Sequence, residues 1–364
     1  MTLPLRPELE GLEPYGAPQL DVQARLNVNE NPYSPPAAVV DAISSAVQRV
    51  GHQLNRYPDR DFVELRADLA RYLARESHVD FLEPDNVWAA NGSNEVMLHL
   101  HQAFGGPGRT TLSFAPTYSM YPEYARDTVT EYVTLPRQED FSISVPDAVA
   151  AIAEHQPSLV LLASPNNPTG TALPLDATRE ICAAASAVPG GCVVVVDEAY
   201  AEFRREGVPS AATLLPELPN LAVSRTMSKA FALAGGRLGY LAASRELIDC
   251  LRVVRLPYHL STVTQAMARA ALAHSSQLQA QVAEIRAERD DTVQWLEAQG
   301  YTVATTDANF ALFGPFADRE RVFTDLVDRG VLIRVVGPEG WLRVSIGTAQ
   351  EMALFRSALV EVTA

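Results

Sequence analysis

Lysine is all but missing from this sequence. A single one, Lys229, stands among 28 arginines in 364 residues. A general arginine bias explains the scarcity, and an arbitrary lysine is usually a solvated surface charge. A lysine that persists under such a bias marks a place where arginine cannot serve. Guanidinium stays protonated, whereas a desolvated lysine amine can lose its proton and attack a carbonyl. Cysteine is scarce as well: Cys182, Cys192 and Cys250 show no CxxC spacing. That argues against a disulfide framework and a cysteine zinc site, and the three are expected to be small buried apolar residues in a reducing compartment. No apolar run approaches the ~20 residues of a membrane helix. The opening stretch, MTLPLRPELEGLEPYG, lacks a basic segment followed by an apolar one. No secretory signal is therefore expected, and a cytoplasmic location follows by default. Positive charge is in deficit, 29 basic against 44 acidic side chains for a net of −15. This opposes nucleic acid and anionic membranes as partners, and any anionic ligand needs a local basic pocket. His99 and His101, two apart on a helix, make a poor metal pair. The GGPG run at 105–108 lacks the lysine of a phosphate-binding loop.

The length points to two lobes. Residues 1–35 read as a proline-rich arm ahead of a helix start at Pro35–Pro36. Phe62, Leu65, Leu69 and Leu73 have amphipathic helix spacing over 61–77. Near-continuous apolar runs at 87–90, 159–163, 192–196 and 221–223 read as buried strands of a mostly parallel sheet covered on both faces. Residues 36–262 would form this large lobe. From 263 to 364 the pattern becomes a smaller α+β lobe. Leu278, Val282, Ile285, Val293 and Leu296 mark one long helix broken at Gly300. Strands are expected at 301–304, 309–313, 331–335 and 341–346, with helices at 318–329 and 349–361.

Four segments carry chemistry. In SRTMSKAFALAGGRLGYL (224–241), Thr226, Ser228 and Arg237 surround Lys229, a grouping suited to a phosphate monoester beside an aldehyde. In VVVVDEAYAEF, Asp197 ends a buried strand, where open α/β sheets gather ligands and a carboxylate needs a cationic partner. A protonated pyridine nitrogen would serve, with Tyr200 on a ring hydroxyl; an aspartate capping the next turn accounts for DEAY equally well. ASPNNPTG (163–170) is a turn signal in which the Asn167 amide could donate to a ring oxygen. In WAANGSNE, a helix starting near Ser93–Asn94 offers an anion site or a plain N-cap.

Taken in order, NGSNE, Tyr118, SPNNPTG, DEAY, SK and GGRLG resemble the fold-type I pyridoxal-phosphate (PLP) aminotransferases along nearly the whole chain. PYGAPQL, RLNVNENPY, NRYPDRD, WAANGSNE, QAFGGPGRT, RTMSKAF and VRLPYHLS resemble the histidinol-phosphate branch of that family. The resemblance implies an α/β fold with a large, mostly parallel seven-stranded sheet domain plus a smaller α+β domain, and pyridoxal 5′-phosphate as cofactor. It implies that Lys229 forms an imine with the cofactor and moves the substrate proton. Asp197 would hold the pyridinium nitrogen, Asn167 and Tyr200 the ring hydroxyl, and Tyr118 the ring face. Ser93, Asn94, Thr226, Ser228 and Arg237 would cradle the phosphate. Tyr57 would reach the phosphate from a neighbouring subunit, which implies a homodimer.

For substrate, the resemblance implies histidinol phosphate, with glutamate and 2-oxoglutarate in the second half-reaction. Arg334 and Arg343 would bind the substrate phosphate or carboxylate, although arginines on small-lobe strands ordinarily point to solvent. Tyr15 and Tyr258 would close over the imidazole end, with Asn29 near the substrate. Val335 departs from the aspartate expected after the arginine. An aromatic amino-acid aminotransferase and a threonine-phosphate decarboxylase-like lyase are the alternative activities. A PLP-sensing regulator would need a DNA-binding module, and neither terminus has room for one.

Overall fold

The computed structural model describes residues 3–14 and 16–363. Its strands, in chain order, are β1 (Ala24–Arg25), β2 (Val87–Ala90), β3 (Thr110–Ala115), β4 (Glu131–Pro136), β5 (Leu159–Ala163), β6 (Val193–Asp197) and β7 (Leu221–Thr226). They continue with β8 (Gly239–Ala243), β9 (Thr302–Val303), β10 (Phe310–Gly314), β11 (Val331–Leu332), β12 (Arg334–Val335) and β13 (Leu342–Ser345). Seven of them form one sheet in the order β2-β8-β7-β6-β5-β3-β4. Only β8 runs antiparallel to its neighbours. The apolar runs VWAA, LVLLA and VVVVD form strands because each can be buried on both faces between helices. Trp88, Leu161 and Val195 are almost wholly buried.

A smaller antiparallel sheet, β12-β13-β10-β9, is built from the C-terminal quarter. The helix Ser275–Ala298 precedes it and buries Leu278, Val282, Ile285 and Leu296. The stretch 331–335, expected as one strand, is two. β11 pairs in parallel with β1, whereas β12 pairs antiparallel with β13. Ile333 between them is fully buried, so the chain changes sheets without exposing itself. Among the described residues, no helix is long and apolar enough to cross a membrane.

The cysteine expectation holds for two of three. Cys182 and Cys192 are buried, and burial pushes both thiols up to about 12. Cys250 is exposed. Its helix, Arg245–Val254, turns Leu247, Ile248 and Leu251 inward and leaves position 250 on the outer face.

One buried charge cluster ties the C-terminal ends of β6 and β7 together. The Arg225 guanidinium, fully buried, donates to Glu198 Oε2 at 2.8 Å, Glu76 Oε2 at 2.7 Å and Glu202 Oε1 at 3.3 Å. Arg204 donates to Glu76 at 2.8 Å on its other oxygen. The two arginines hold the Glu76 carboxyl down at about 2, despite burial that raises it. Removing one member of such a cluster leaves its partners as uncompensated buried charges. Arg225→Met is therefore expected to destabilise the protein by roughly 3 kcal/mol or more, read from the urea midpoint. An unchanged midpoint would show that the cluster contributes nothing net.

Candidate active site

All the parallel strands of the large sheet end on one edge, and the chain leaves that edge in loops that surround a cavity of about 320 Å³. Ligands of open α/β sheets gather at this edge because strand ends and helix N-termini converge there. Loops after β2, β3, β5, β6 and β7 bring in Ser93 and Asn94, Tyr118, Asn167, Asp197 and Tyr200, and Thr226, Ser228, Lys229 and Arg237. The small lobe adds Arg334 from β12 and Arg343 from β13, which face each other in register. The arm adds Asn29. Residues scattered over some 300 positions thus line one space.

The lysine lies on the cavity wall and its Nζ donates to the Val28 carbonyl at 2.9 Å. Burial, then the Arg343 charge, pull the amine down from 10.5 to about 8, with Glu30 opposing. Between those two values the unfolded chain binds the proton more tightly than the folded one. In the cofactor-free protein this lysine's contribution to stability therefore rises as pH climbs through that window. Reactivity follows the same pKa. Labelling of Lys229 by an amine-specific reagent, followed by peptide mass mapping, is expected to be half-maximal near pH 8. A midpoint above 10 would mean that the amine is ordinarily solvated.

Asp197, the last residue of β6, is 8% exposed. Its Oδ2 accepts from Tyr121 Oη at 3.0 Å, while Oδ1 is buried with no hydrogen-bond partner among the described residues. Burial pushes this carboxyl up to about 6 against the lowering effect of Tyr121 and of the Ala199 N–H. A buried acceptor left in this state is a receptor for an external N–H donor.

Opposite it, the turn after β2 packs against β8. A Cβ on Gly239 would fall 2.1 Å from the Ser93 nitrogen, and one on Gly92 would fall 2.6 Å from Arg237 Nη2. Only glycine allows this approach, which sets the first N–H groups of the helix Ser93–Phe104 beside the Arg237 guanidinium. Arg237 Nη1 reaches Ser228 Oγ at 3.4 Å, and Thr226 Oγ1 donates to the same oxygen at 3.0 Å. Hydroxyls, a guanidinium and a helix N-terminus together form an anion cradle.

Arg343 is 5% exposed, contrary to the solvent-facing default. Its Nη1 donates to Asn167 Oδ1 and its Nη2 to the Asn27 carbonyl at 2.7 Å, above the Phe310 ring. Because the Asn167 oxygen is engaged, its NH₂ is left to face the cavity as a donor. Arg334 has no ion pair or hydrogen bond among the described residues, and so stands ready for an anion. Tyr118 Oη donates to Asn94 Oδ1 at 3.3 Å, and its ring meets Tyr121 edge-on. Asn29 Nδ2 donates to Tyr200 Oη at 3.0 Å. Asn29 therefore steadies a ring-side hydroxyl as well as lining the cavity.

Within its own chain Tyr258 does not line this cavity but stacks on Tyr57, with centroids 4.6 Å apart, and Tyr57 is 81% exposed. The segment 255–261 is held outside by its neighbours: His259 donates to the Ala89 carbonyl and stacks on Trp88, and Arg255 pairs with Asp61. Tyr15 lies outside the described residues. Glu30 also stands on the cavity wall, with the Asn27 and Val28 carbonyls, and none of the three is singled out by the sequence. A carbonyl has no sequence signal, but the NENP run that yielded Asn29 contains Glu30 too.

The family model for aminotransferase class I and II matches residues 21–359. The histidinol-phosphate aminotransferase of Thermobifida fusca is 59% identical over 361 residues, 99% of this chain and 96% of that one. That of Bifidobacterium longum is 57% identical over 373 residues, again 99% and 96%. Among solved structures, histidinol-phosphate aminotransferase from Sinorhizobium meliloti in complex with pyridoxal-5′-phosphate superposes with a TM-score of 0.85 at 24% identity. That match covers 100% of this chain and 98% of the other, and it speaks to the fold.

Proposed function

This chain belongs to the class I and II aminotransferase family, and on that premise we infer that it transaminates L-histidinol phosphate with 2-oxoglutarate, using pyridoxal 5′-phosphate. The products are imidazole acetol phosphate and L-glutamate, and the reaction is a reversible step of histidine biosynthesis. The observation that carries this reading is a single cavity. It holds the chain's one lysine, a buried carboxylate oxygen without a donor among the described residues, an anion cradle and two further arginines.

The residues fit the cofactor. Asp197 Oδ1, unpartnered among the described residues, suits a pyridinium N–H, and the glycine-permitted cradle of Ser93, Asn94, Thr226, Ser228 and Arg237 suits its phosphate. When bound, pyridoxal phosphate supplies an aldehyde that bonds amines and a ring that withdraws electrons from the adjacent carbon. Lys229 Nζ would hold that aldehyde and, when free, would move the proton between the substrate carbon and the cofactor C4′. Its amine, at about 8, is poised to give and take a proton near neutrality. Asp197 would keep the ring nitrogen protonated, Asn167 and Tyr200 would donate to the ring oxygen, and Tyr118 would cover the ring face. Arg334 and Arg343 take the substrate phosphate, and in the second half-reaction the glutamate carboxylate.

The active unit in this reading is a homodimer working in the cytoplasm. Residues 1–35 serve as an arm, 36–262 as the cofactor domain and 263–364 as the small domain. The stacked Tyr57–Tyr258 pair joins two segments that leave Leu54, Val253 and Leu256 exposed. An apolar patch of this kind suits burial against a second copy, with both tyrosines delivered to the partner's cavity. Incubation with L-histidinol phosphate and 2-oxoglutarate tests the reaction. Glutamate should form mole for mole with substrate consumed, and no CO₂ should be released. CO₂ release, or faster amino transfer from phenylalanine, would overturn the assignment.

A further inference from the structure

The cavity wall is rich in cations: Lys229, Arg237, Arg334 and Arg343. Two carboxylates share it, Asp197 at the floor and Glu30 toward solvent. Asp197 is committed to the floor by Tyr121. The Glu30 side chain has no ion pair or hydrogen bond among the described residues, yet its charge is felt at Lys229 Nζ, which it raises. A carboxylate so placed weakens the hold of the pocket on any anion. Its presence therefore asks for a substrate group that gains from it.

The backbone at this point is fixed. Asn29 adopts the left-handed conformation, φ 56°, and is gripped on all sides. Its N–H donates to Ser345 Oγ at 2.9 Å, and its Oδ1 accepts from that hydroxyl at 2.9 Å. Its Nδ2 bonds Tyr200, and Asn309 Nδ2 donates to the carbonyls of Asn29 at 3.1 Å and Glu30 at 3.4 Å. Residue 30 is thus presented to the cavity with little backbone ordering left to lose on binding.

We propose that Glu30 is a specificity-determining residue that accepts the imidazole N–H of the amino donor. The proposal rests on the histidinol-phosphate reading above. With the phosphate on the arginines and the amine at Lys229, the group left over is an N–H-bearing ring that becomes cationic near pH 6.5. Phenylalanine presents a ring with no N–H, and glutamate no ring at all, so neither gains from this carboxylate.

The test compares the holoenzyme with Glu30→Ala and Glu30→Gln for three amino donors. For histidinol phosphate, Glu30→Ala should raise KM roughly 10-fold or more, with kcat within about twofold, the scale of one hydrogen bond to a charged group. Glu30→Gln, which keeps an acceptor oxygen, should lose less. Phenylalanine should change by less than about twofold, and glutamate should bind no more weakly. A second readout avoids turnover: calorimetric titration of borohydride-reduced holoenzyme with L-histidinol phosphate and with phosphoethanolamine. Only the ring-bearing ligand should weaken in the variants. Equal losses for every donor would place Glu30 in the service of Lys229 or of the fold and overturn the proposal, as would unchanged KM for histidinol phosphate. Failure of the parent to form glutamate from histidinol phosphate would instead defeat the underlying reading, so the two failures are separable.

Discussion

Replacing Lys229 by arginine is expected to lower turnover by more than ~10³-fold, because two functions of one nitrogen are lost together. Arginine keeps the charge and most of the length, but its guanidinium does not deprotonate and cannot bond the cofactor aldehyde. Lys229 is the only lysine of the chain, so no neighbouring side-chain amine can take over. Borohydride treatment of the parent should fix the cofactor on the peptide containing Lys229, and treatment of the variant should leave it dialysable. Full turnover by Lys229→Arg would remove this nitrogen from the mechanism.

Asp197→Ala is expected to cost ~10³-fold in kcat and to loosen the cofactor. Its Oδ1 is buried with no hydrogen-bond partner among the described residues, and burial pushes its carboxyl up to about 6. A pyridinium N–H against that oxygen makes a buried ion pair, and breaking such a pair costs roughly 3–5 kcal/mol, or two to four decades in rate. Tyr121→Phe is the matched control. It removes one neutral donor to Oδ2 and should cost no more than about tenfold. Steady-state rates with saturating cofactor, together with cofactor retained after dialysis, check both. Equal effects of the two substitutions would mean that the Asp197 charge is not what matters.

Lys229 and Asp197 are both visible in the sequence, for a physical reason. Asp197 and the residues around Lys229 sit where a buried apolar strand stops, and a charge at such a point is conspicuous. β2, β5 and β6 were legible for the same reason: each is buried on both faces and reads as an unbroken apolar run. β3, with the sequence TTLSFA, and β4, a half-exposed edge strand, were not, since hydroxyls and exposure interrupt the pattern. The division of 331–335 was hidden because an apolar stretch does not say which sheet each half will join. Arg343 was legible as an arginine on a strand but not as a buried one. Its burial depends on Asn27 and Asn167, 316 and 176 positions away, brought close by the fold alone. Tyr258 shows the converse: a motif fixed its identity, while its position against Tyr57 followed from packing.

The most direct test of the account is a single half-reaction. Purified holoenzyme is mixed with L-histidinol phosphate without any keto-acid acceptor, and the cofactor absorbance is followed beside samples given glutamate or phenylalanine. The account predicts rapid conversion of the cofactor to its amine form by histidinol phosphate and by glutamate, with phenylalanine much slower. An unchanged spectrum with histidinol phosphate, alongside rapid conversion by phenylalanine, would contradict it and move the enzyme to aromatic amino acids.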